Sequence, residues 1–392
     1  MAKIIIFVLI FVIYLTVLGL FDKIKVTKKM QGSIWRCKMQ ELNIQPIIEG
    51  IKASVKAHEI EGRPGEYRRW LWNNESGTRD MGKNEYGCAD AMNLLYTINE
   101  FSCDEETRQA RIAALQSMQD PETGLFHEKT HHAYHTVAHC TGALQLFDAK
   151  PLYPIKEFHK FLESGEELSR FLHEDTRWAT NPWRDSHLGA GVYAALVNAE
   201  EVTPEFSKNY FDWFNENCDP VTGFWKKGVA DKAPCVGGAM NVGEQAVLFQ
   251  YMAAGFHYLF NHEYAHQPLP YPERVIDSCI KMYKENGLPS TFGMYCGFLE
   301  IDWVFCMTRA MRQTNYRYDE AIECLEDFTV KFVGYMTKDD YFVEKDRFCD
   351  MFQDLHCLFG TACCLAELQQ TFRGKLISDK PLKLVLDRRP FI

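Results

Sequence analysis

The sequence contains no Cys-x-x-Cys pair, although 14 of its 392 residues are cysteine. Zinc ribbons and thioredoxin-like redox proteins depend on such pairs, so this absence disfavours both classes. Long runs of Lys and Arg are also absent from the body of the chain, and the net charge is −10. That charge argues against a nucleic-acid partner, which would favour a basic surface.

The N-terminus carries an uncharged 18-residue stretch from Ile4 to Phe21. Its length is nearly sufficient for a helix to cross the hydrocarbon core of a membrane. A cleaved signal peptide is the alternative, but its apolar region is normally shorter, and no small-x-small cleavage site precedes Asp22. We therefore predict a transmembrane anchor over residues 1–21, a juxtamembrane tether over 22–33 and a folded domain over 34–392.

The flanks of this stretch predict its orientation. Only Lys3 precedes it, whereas four lysines lie between residues 23 and 29. The positive-inside rule then places the folded domain in the cytoplasm, as a single-pass membrane protein. Several of the unpaired cysteines fall within apolar stretches, where reduced thiols behave as small hydrophobic side chains, and this agrees with a cytoplasmic location.

A turn motif repeats along the chain. Residues 120–126 (DPETGLF) recur as residues 219–225 (DPVTGFW), with the two glycines 99 residues apart, and a weaker copy ends at Gly77. Asp-Pro followed by Gly is typical turn chemistry, since Pro presets φ and Gly accepts a left-handed conformation. The spacing predicts a structural unit of about 50 residues, repeated six times.

Each turn is followed by a run of about 12 apolar and small residues, which predicts a helix buried on nearly all sides. These runs are Tyr86–Ile98, His135–Phe147, His187–Asn198, Asn241–Met252, Phe298–Met311 and His356–Leu368. Amphipathic segments lie between them, at Glu105–Met118, Ile155–Leu172, Pro204–Asn217, Pro272–Glu285 and Tyr318–Met336. The predicted fold is all-α, an (α/α)6 toroid whose inner helices surround a cavity; an open helical solenoid has the same local pattern.

Polar residues near the starts of the buried runs are expected to meet at one mouth of the cavity. The candidate catalytic residues are Asp185, His187, Asp302, His135, His139, Asp354 and His356. The candidate substrate-binding residues are Asp90, Tyr86, His131, His132, Tyr134, Trp183, Arg184, Asn241, Glu244, Gln245, Glu300 and Trp303. Helix capping is the alternative explanation for such residues, but it does not suit His139, Glu244 and Asp302, which follow apolar or small residues within the runs.

The histidines are densest between His131 and His139. His135 and His139 share a helical face and could hold Zn²⁺, but we expect histidines here to act as acids, bases or hydrogen-bond donors without a metal cofactor. Residues 127–131 match the HExxH pattern of zinc proteases, which requires a helix. Here the pattern falls in a polar link, so we interpret the match as chance.

The segment Tyr134-His135-Thr136 with His139-Cys140, following the turn at Gly124, resembles repeats of the terpenoid-cyclase and protein-prenyltransferase toroid superfamily. In that superfamily the corresponding histidine is a zinc ligand, so the resemblance implies a toroid and Zn²⁺ at His135. The superfamily's DDxxD motif is absent from this sequence. Carbohydrate-active toroids offer a further fold-level analogy.

A cavity mouth with carboxylates, imidazoles, amides and aromatic rings suits a polyhydroxylated small molecule or oligosaccharide. The sequence therefore predicts a glycan-active hydrolase or lyase that uses carboxylate and histidine acid–base groups. Two alternatives remain open, an isoprenoid- or prenyl-lipid-processing enzyme and a toroid that binds without catalysis.

Overall fold

The computed structural model describes residues 39–235, 245–286, 298–337 and 353–391, and these ranges are mostly helical. The helices are α1 (Gln45–His58), α2 (Glu85–Thr97), α3 (Glu105–Gln116), α4 (Ala133–Gln145), α5 (His159–Glu163), α6 (Gly165–Glu174), α7 (Pro182–Asn198), α8 (Pro204–Asn217), α9 (Leu248–Tyr264), α10 (Pro272–Asn286), α11 (Phe298–Met311), α12 (Tyr318–Met336), α13 (Leu355–Thr371) and α14 (Val385–Arg388). Short 3-10 helices span Lys156–Phe158 and Ala230–Lys232. Strands β1 (Leu42–Asn43) and β2 (Leu376–Ile377) pair in parallel.

The predicted anchor and tether lie outside these four ranges. Within them, no helix combines the length and apolarity needed to cross a membrane.

Six helices are buried along most of their length, namely α2, α4, α7, α9, α11 and α13. Each packs against the next in this order, and α13 packs against α2, so the sequence of contacts closes on itself. Amphipathic helices lie between them in the chain; α3 contacts both α2 and α4, and α10 contacts both α9 and α11. The prediction of an all-α fold with alternating buried and amphipathic helices is thus confirmed for the described residues.

Two predicted segments differ from the observed helices. The run predicted from Asn241 begins as a helix only at Leu248 and continues to Tyr264, because the apolar sequence extends well beyond Met252. The segment Ile155–Leu172 is divided at Ser164, whose backbone is extended. The Ser164 hydroxyl accepts a hydrogen bond from the Glu167 amide and so caps a new helix.

The repeated turns have the same geometry in both copies. The amide of Gly124 donates to the carbonyl of Asp120, and that of Gly223 to the carbonyl of Asp219, each over 2.8 Å. Both glycines have φ of +80°, a left-handed conformation that other residues adopt at a cost. A Cβ at Gly124 would also lie 2.1 Å from the Pro154 carbonyl oxygen. The turns therefore need glycine for two reasons, conformation and close approach.

The chain segment after β2 returns to the buried helices. Helix α14 contacts α2 and α9, and the Arg389 side chain is fully buried, where it donates to the Asn93 amide oxygen. The Phe391 ring lies 4.6 Å from the ring of His135 on α4, measured between centroids. This segment therefore contacts α2, α4 and α9, and it reaches α4 at His135.

Candidate functional site

Five of the buried helices direct aromatic and titratable side chains to one place. His135 and His139 come from α4, Tyr86 and Asp90 from α2, His187 from α7, His257 from α9 and His356 from α13, with His131 in the loop before α4. We call these eight residues the histidine cluster. Neighbouring rings within it are separated by 4.1 to 6.3 Å between centroids.

Tyr86 lies at the centre of the histidine cluster. Its ring stacks on those of His131 and His139, at centroid distances of 4.3 and 4.7 Å. Its hydroxyl is hydrogen-bonded to Nδ1 of His135. Burial raises the pKa of Tyr86 well above its ordinary value, so the phenol keeps its proton at neutral pH. The rings of His131, His135 and His139 therefore all lie next to the same tyrosine.

Asp90 joins two further histidines of the cluster. Nε2 of His139 lies 2.8 Å from the Asp90 carboxyl, and Nδ1 of His356 lies 3.2 Å from it. Burial raises the pKa of Asp90 and lowers that of His356 well below its ordinary value. Both shifts favour the neutral forms, which agrees with the complete burial of the Asp90 and His139 side chains.

His131 is held from one side by polar groups. Its Nδ1 lies 2.7 Å from the Thr130 hydroxyl and 3.4 Å from a carboxyl oxygen of Glu128. Burial is the main cause that lowers the pKa of His131 to about 4. The pKa of Glu128 is lowered to about 2, because hydrogen bonds and Arg69 outweigh the effect of its burial. At neutral pH this arrangement contains a neutral imidazole beside an ionised carboxylate.

A buried ion pair contacts the loop that carries Thr130 and His131. Arg69 donates to both carboxyl oxygens of Asp354, over 2.9 and 3.1 Å, and also to the Thr130 hydroxyl, over 2.7 Å. Although burial opposes the charge, the neighbouring Asp354 raises the pKa of Arg69. Asp354 also caps α13 by accepting from the His356 amide. The predicted catalytic residue Asp354 thus has two structural partners.

The other side of the cluster contains His187 and His257. Their rings are 4.6 Å apart, and His187 lies 4.1 Å from His135. Nδ1 of His257 lies 2.8 Å from the hydroxyl of Ser186, which itself donates to the Trp183 carbonyl. Burial lowers the pKa of His257 to about 3 and those of His135 and His187 well below the ordinary value.

A cavity of about 500 Å³ opens beside His131 and His187. Ten of its twelve lining residues have polar or charged side chains; the twelve are Lys129, Thr130, His131, His132, Arg177, Asn181, Trp183, Arg184, Asp185, His187, Leu188 and Gln250. Arg184 and Lys129 are exposed and have no ion-pair partner among the residues that the structure describes. A substrate in this cavity can therefore contact two free cations and the imidazoles of His131 and His187.

The predicted carboxylates have different environments. Both carboxyl oxygens of Asp185 accept from the Arg177 guanidinium, over 2.7 and 2.8 Å, which neutralises the carboxylate at the cavity wall. Asp302 is buried, and neither of its carboxyl oxygens has a hydrogen-bond partner of ordinary geometry in the described parts of the chain. Burial raises the pKa of Asp302 well above its ordinary value, with Glu300 contributing and the nearby Trp183 side chain opposing.

Several predicted substrate-binding residues lie away from the cluster. Trp303 faces the amphipathic helices, where its indole stacks on Tyr283 and donates to the Cys279 carbonyl, so it offers no stacking surface to the cavity. The Tyr134 hydroxyl donates to Glu157. His132 caps α4 by accepting from the Tyr134 amide. Gln245 is exposed before α9, and Glu300 is fully buried on α11. Asn241 and Glu244 lie outside the described residues.

The structure adds residues that the sequence interpretation missed, and three of them are His257, Arg69 and Ser186. His257 belongs to α9 beyond the predicted end of the fourth buried run, and a longer run would have found it by the criterion that selected His139. Arg69 contacts Asp354 across 285 positions of sequence. Ser186 contacts His257 across 71 positions. No local pattern in the sequence marks the last two.

Residues 127–131 are not helical, so the HExxH match has no shared helical face, as expected. Comparison with protein-family models, with curated proteins and with solved structures returned no match.

Proposed function

We propose that this chain is an enzyme, a hydrolase or lyase that cleaves an anionic glycan in the cavity beside the histidine cluster. The single observation that carries the proposal is His131, a neutral imidazole at the cavity wall whose Nδ1 is held by Thr130 and Glu128. This arrangement directs the other nitrogen away from its polar support, as a general base requires.

The cavity wall supports a sugar as the substrate. Trp183 offers an aromatic surface, while Asn181 and Arg184 offer hydrogen-bond donors for hydroxyl or carboxylate groups. Free cations at Lys129 and Arg184 favour a substrate that carries negative charge. Leu188 is the one aliphatic side chain among the twelve lining residues, so the residue types of the lining favour a sugar over an isoprenoid chain.

The proposed reaction has two forms with a common base. In hydrolysis His131 takes a proton from water, the water oxygen bonds to the anomeric carbon, the glycosidic carbon–oxygen bond breaks, and an acid gives a proton to the leaving oxygen. In elimination His131 takes the proton from the carbon beside a uronate carboxylate, a carbon–carbon double bond forms, the carbon–oxygen bond at the neighbouring carbon breaks, and the leaving oxygen takes a proton from solvent water. Asp302 is our candidate for the acid in hydrolysis, because burial favours its protonated form and it lies beside the side chain of Trp183, which lines the cavity.

The proposal extends to the architecture and location. The closed order of contacts among the six buried helices supports an (α/α)6 toroid. The apolar stretch from Ile4 to Phe21 supports a single-pass anchor with the folded domain in the cytoplasm, where a lipid-linked or imported oligosaccharide would be the substrate.

The test is turnover of a panel of neutral and uronate-containing oligosaccharides by the purified full chain. A new reducing end with water incorporated identifies hydrolysis, and an unsaturated uronate identifies elimination. We expect His131→Gln to lower kcat by at least about 100-fold, the usual contribution of a general base. His127→Gln removes an exposed imidazole from the same segment and serves as the control. Equal activity of both variants would remove His131 from the mechanism, and binding without turnover would favour a non-catalytic protein.

A further inference from the structure

Three imidazoles of the histidine cluster converge at the edge of the cavity. One ring nitrogen from each of His135, His187 and His257 lies within 4.8 Å of the other two. The three residues come from α4, α7 and α9, which pack against one another in that order. His135 and His257 are buried, whereas His187 is half-buried and also lines the cavity. The point between the three nitrogens is therefore reached from the cavity past His187.

Hydrogen bonds fix which nitrogen of His257 is free. The Ser186 hydroxyl has one proton, and it donates this proton to the Trp183 carbonyl over 2.5 Å. The 2.8 Å contact between Ser186 Oγ and His257 Nδ1 must then have the imidazole as donor. Nδ1 carries the proton, so Nε2 of His257 presents a lone pair.

His135 has a comparable arrangement. Its Nδ1 is hydrogen-bonded to the Tyr86 hydroxyl, which leaves Nε2 as the nitrogen available to the group. An outer partner on Nδ1 is what orients metal-binding histidines and fixes their tautomer. Two of the three imidazoles therefore have such a partner, Tyr86 for His135 and Ser186 for His257.

Imidazole nitrogens are ligands that zinc-class metal ions prefer. Tetrahedral zinc with bonds of about 2.0 to 2.1 Å holds its ligand nitrogens roughly 3.3 Å apart, so small side-chain rotations would close the present separation.

The histidine cluster contains a second triad, and its three groups are hydrogen-bonded to one another. Asp90, His139 and His356 also bring three potential ligand atoms within 4.8 Å. However, the Asp90 carboxyl is already hydrogen-bonded to both histidines, over 2.8 and 3.2 Å. These groups satisfy one another without an ion, so this triad is a hydrogen-bonded support for the first.

We propose that His135, His187 and His257 bind one divalent transition-metal ion of the zinc class, with a fourth coordination position open to the cavity. Three protein ligands and an open position are the arrangement of catalytic zinc sites. This inference rests on the proposed function for its role, since a metal there would act on the substrate next to His131. At that position the ion would polarise a substrate oxygen or lower the pKa of a bound water.

The test is metal binding by the full chain, first stripped with a chelator and then titrated with Zn²⁺ alone. We expect one tightly bound zinc per chain by elemental analysis, and a four-coordinate absorption spectrum with Co²⁺. His257→Gln should lower the zinc affinity at least about 100-fold, and Ser186→Ala about 10- to 100-fold through loss of its outer hydrogen bond. The control is His262→Gln, a buried imidazole on the same helix.

Each outcome decides one point. Zinc binding that His257→Gln weakens and His262→Gln leaves intact supports the site, and Ser186→Ala provides the same test if His257→Gln does not fold. Absence of zinc binding, or binding that Asp90→Asn abolishes while His257→Gln does not, overturns it. Zinc bound at this site without glycan turnover preserves the inference and refutes the proposed function. Turnover by the stripped protein, with zinc still binding at this site when it is added, preserves the proposed function and refutes a catalytic role for the metal.

Discussion

The buried ion pair between Arg69 and Asp354 allows a quantitative prediction about how the site is held together. Both side chains are less than a tenth exposed, and two hydrogen bonds of 2.9 and 3.1 Å join them. Removing one member of a buried pair leaves the other charge uncompensated, which typically costs about 3–5 kcal/mol. We expect a loss of this size for Arg69→Met, because methionine keeps part of the side-chain volume but no donor.

A double-mutant cycle isolates the pairwise contribution. Asp354→Asn retains a side-chain oxygen that can cap α13, so its cost comes mainly from the loss of the negative charge beside Arg69. Arg69→Met also separates Glu128 from its neighbouring cation, 3.9 Å away, but this loss is common to the single and the double variant and cancels in the cycle. We expect the double variant to be about 2 kcal/mol more stable than the sum of the single losses. The assay is urea unfolding of the four proteins followed by tryptophan fluorescence.

The exposed pair between Arg170 and Glu167 provides the matched control, and Arg170→Met should cause no measurable loss. If the two losses in the cycle were additive, Asp354 and Arg69 would not act as a pair, and Asp354 would become free for the catalytic role predicted from the sequence. A large loss of activity with unchanged stability in Asp354→Asn would have the same meaning.

Three further predictions concern pH, burial and helix contact. Because burial lowers the pKa of His262 to about 4 against 6.5 in the unfolded chain, the unfolded state alone binds a proton between these values. As the pH drops from 6.5 to 4, the free energy of unfolding should then fall by about 3 kcal/mol because of this residue. Urea unfolding of His262→Phe should show a shallower decline of this free energy with falling pH. The control Phe214→Leu, in the same aromatic group, should lower the free energy of unfolding without changing its dependence on pH. Asp302 has a raised pKa in the folded state, so it lowers the stability of the protein as the pH rises above 3.8. Asp302→Asn should therefore raise the melting temperature at pH 7 but not at pH 3. An equal gain at both pH values would contradict this. A Cβ on Gly191 would lie 2.3 Å from the Tyr134 carbonyl oxygen, so Gly191→Ala should lower the free energy of unfolding in urea by about 1–3 kcal/mol. The control Gly334→Ala has open space around the new Cβ and should be neutral or stabilising. Equal effects of the two substitutions would exclude the α4–α7 contact as the cause.

The helices were largely predictable because their signals are local. Buried runs, first-turn prolines such as Pro204 and the Asp-Pro-x-x-Gly turns each act within a few residues. One exception is the fourth buried run, where the apolar sequence extends past Met252 to Tyr264. An apolar run alone does not indicate where a helix ends, and this is why His257 was missed.

The candidate site was only partly predictable, since its decisive contacts are distant in sequence. The sequence placed Tyr86, Asp90, His135, His139, His187 and His356 near one another, and the structure brings them together in the histidine cluster. It did not show that Asp354 and Asp185 pair with Arg69 and Arg177, or that Trp303 faces outward. Which charge neutralises which carboxylate depends on tertiary packing, and helical periodicity does not encode it.

The most direct test is a crystal structure of the His131→Gln variant soaked with the best substrate of the panel. Its result is the position of the bound oligosaccharide. We predict a sugar ring against Trp183, an acidic group of the sugar at Arg184, and the linkage to be cleaved within about 3.5 Å of the side chain at position 131. An oligosaccharide bound elsewhere on the chain, with this cavity filled only by water, would contradict the account.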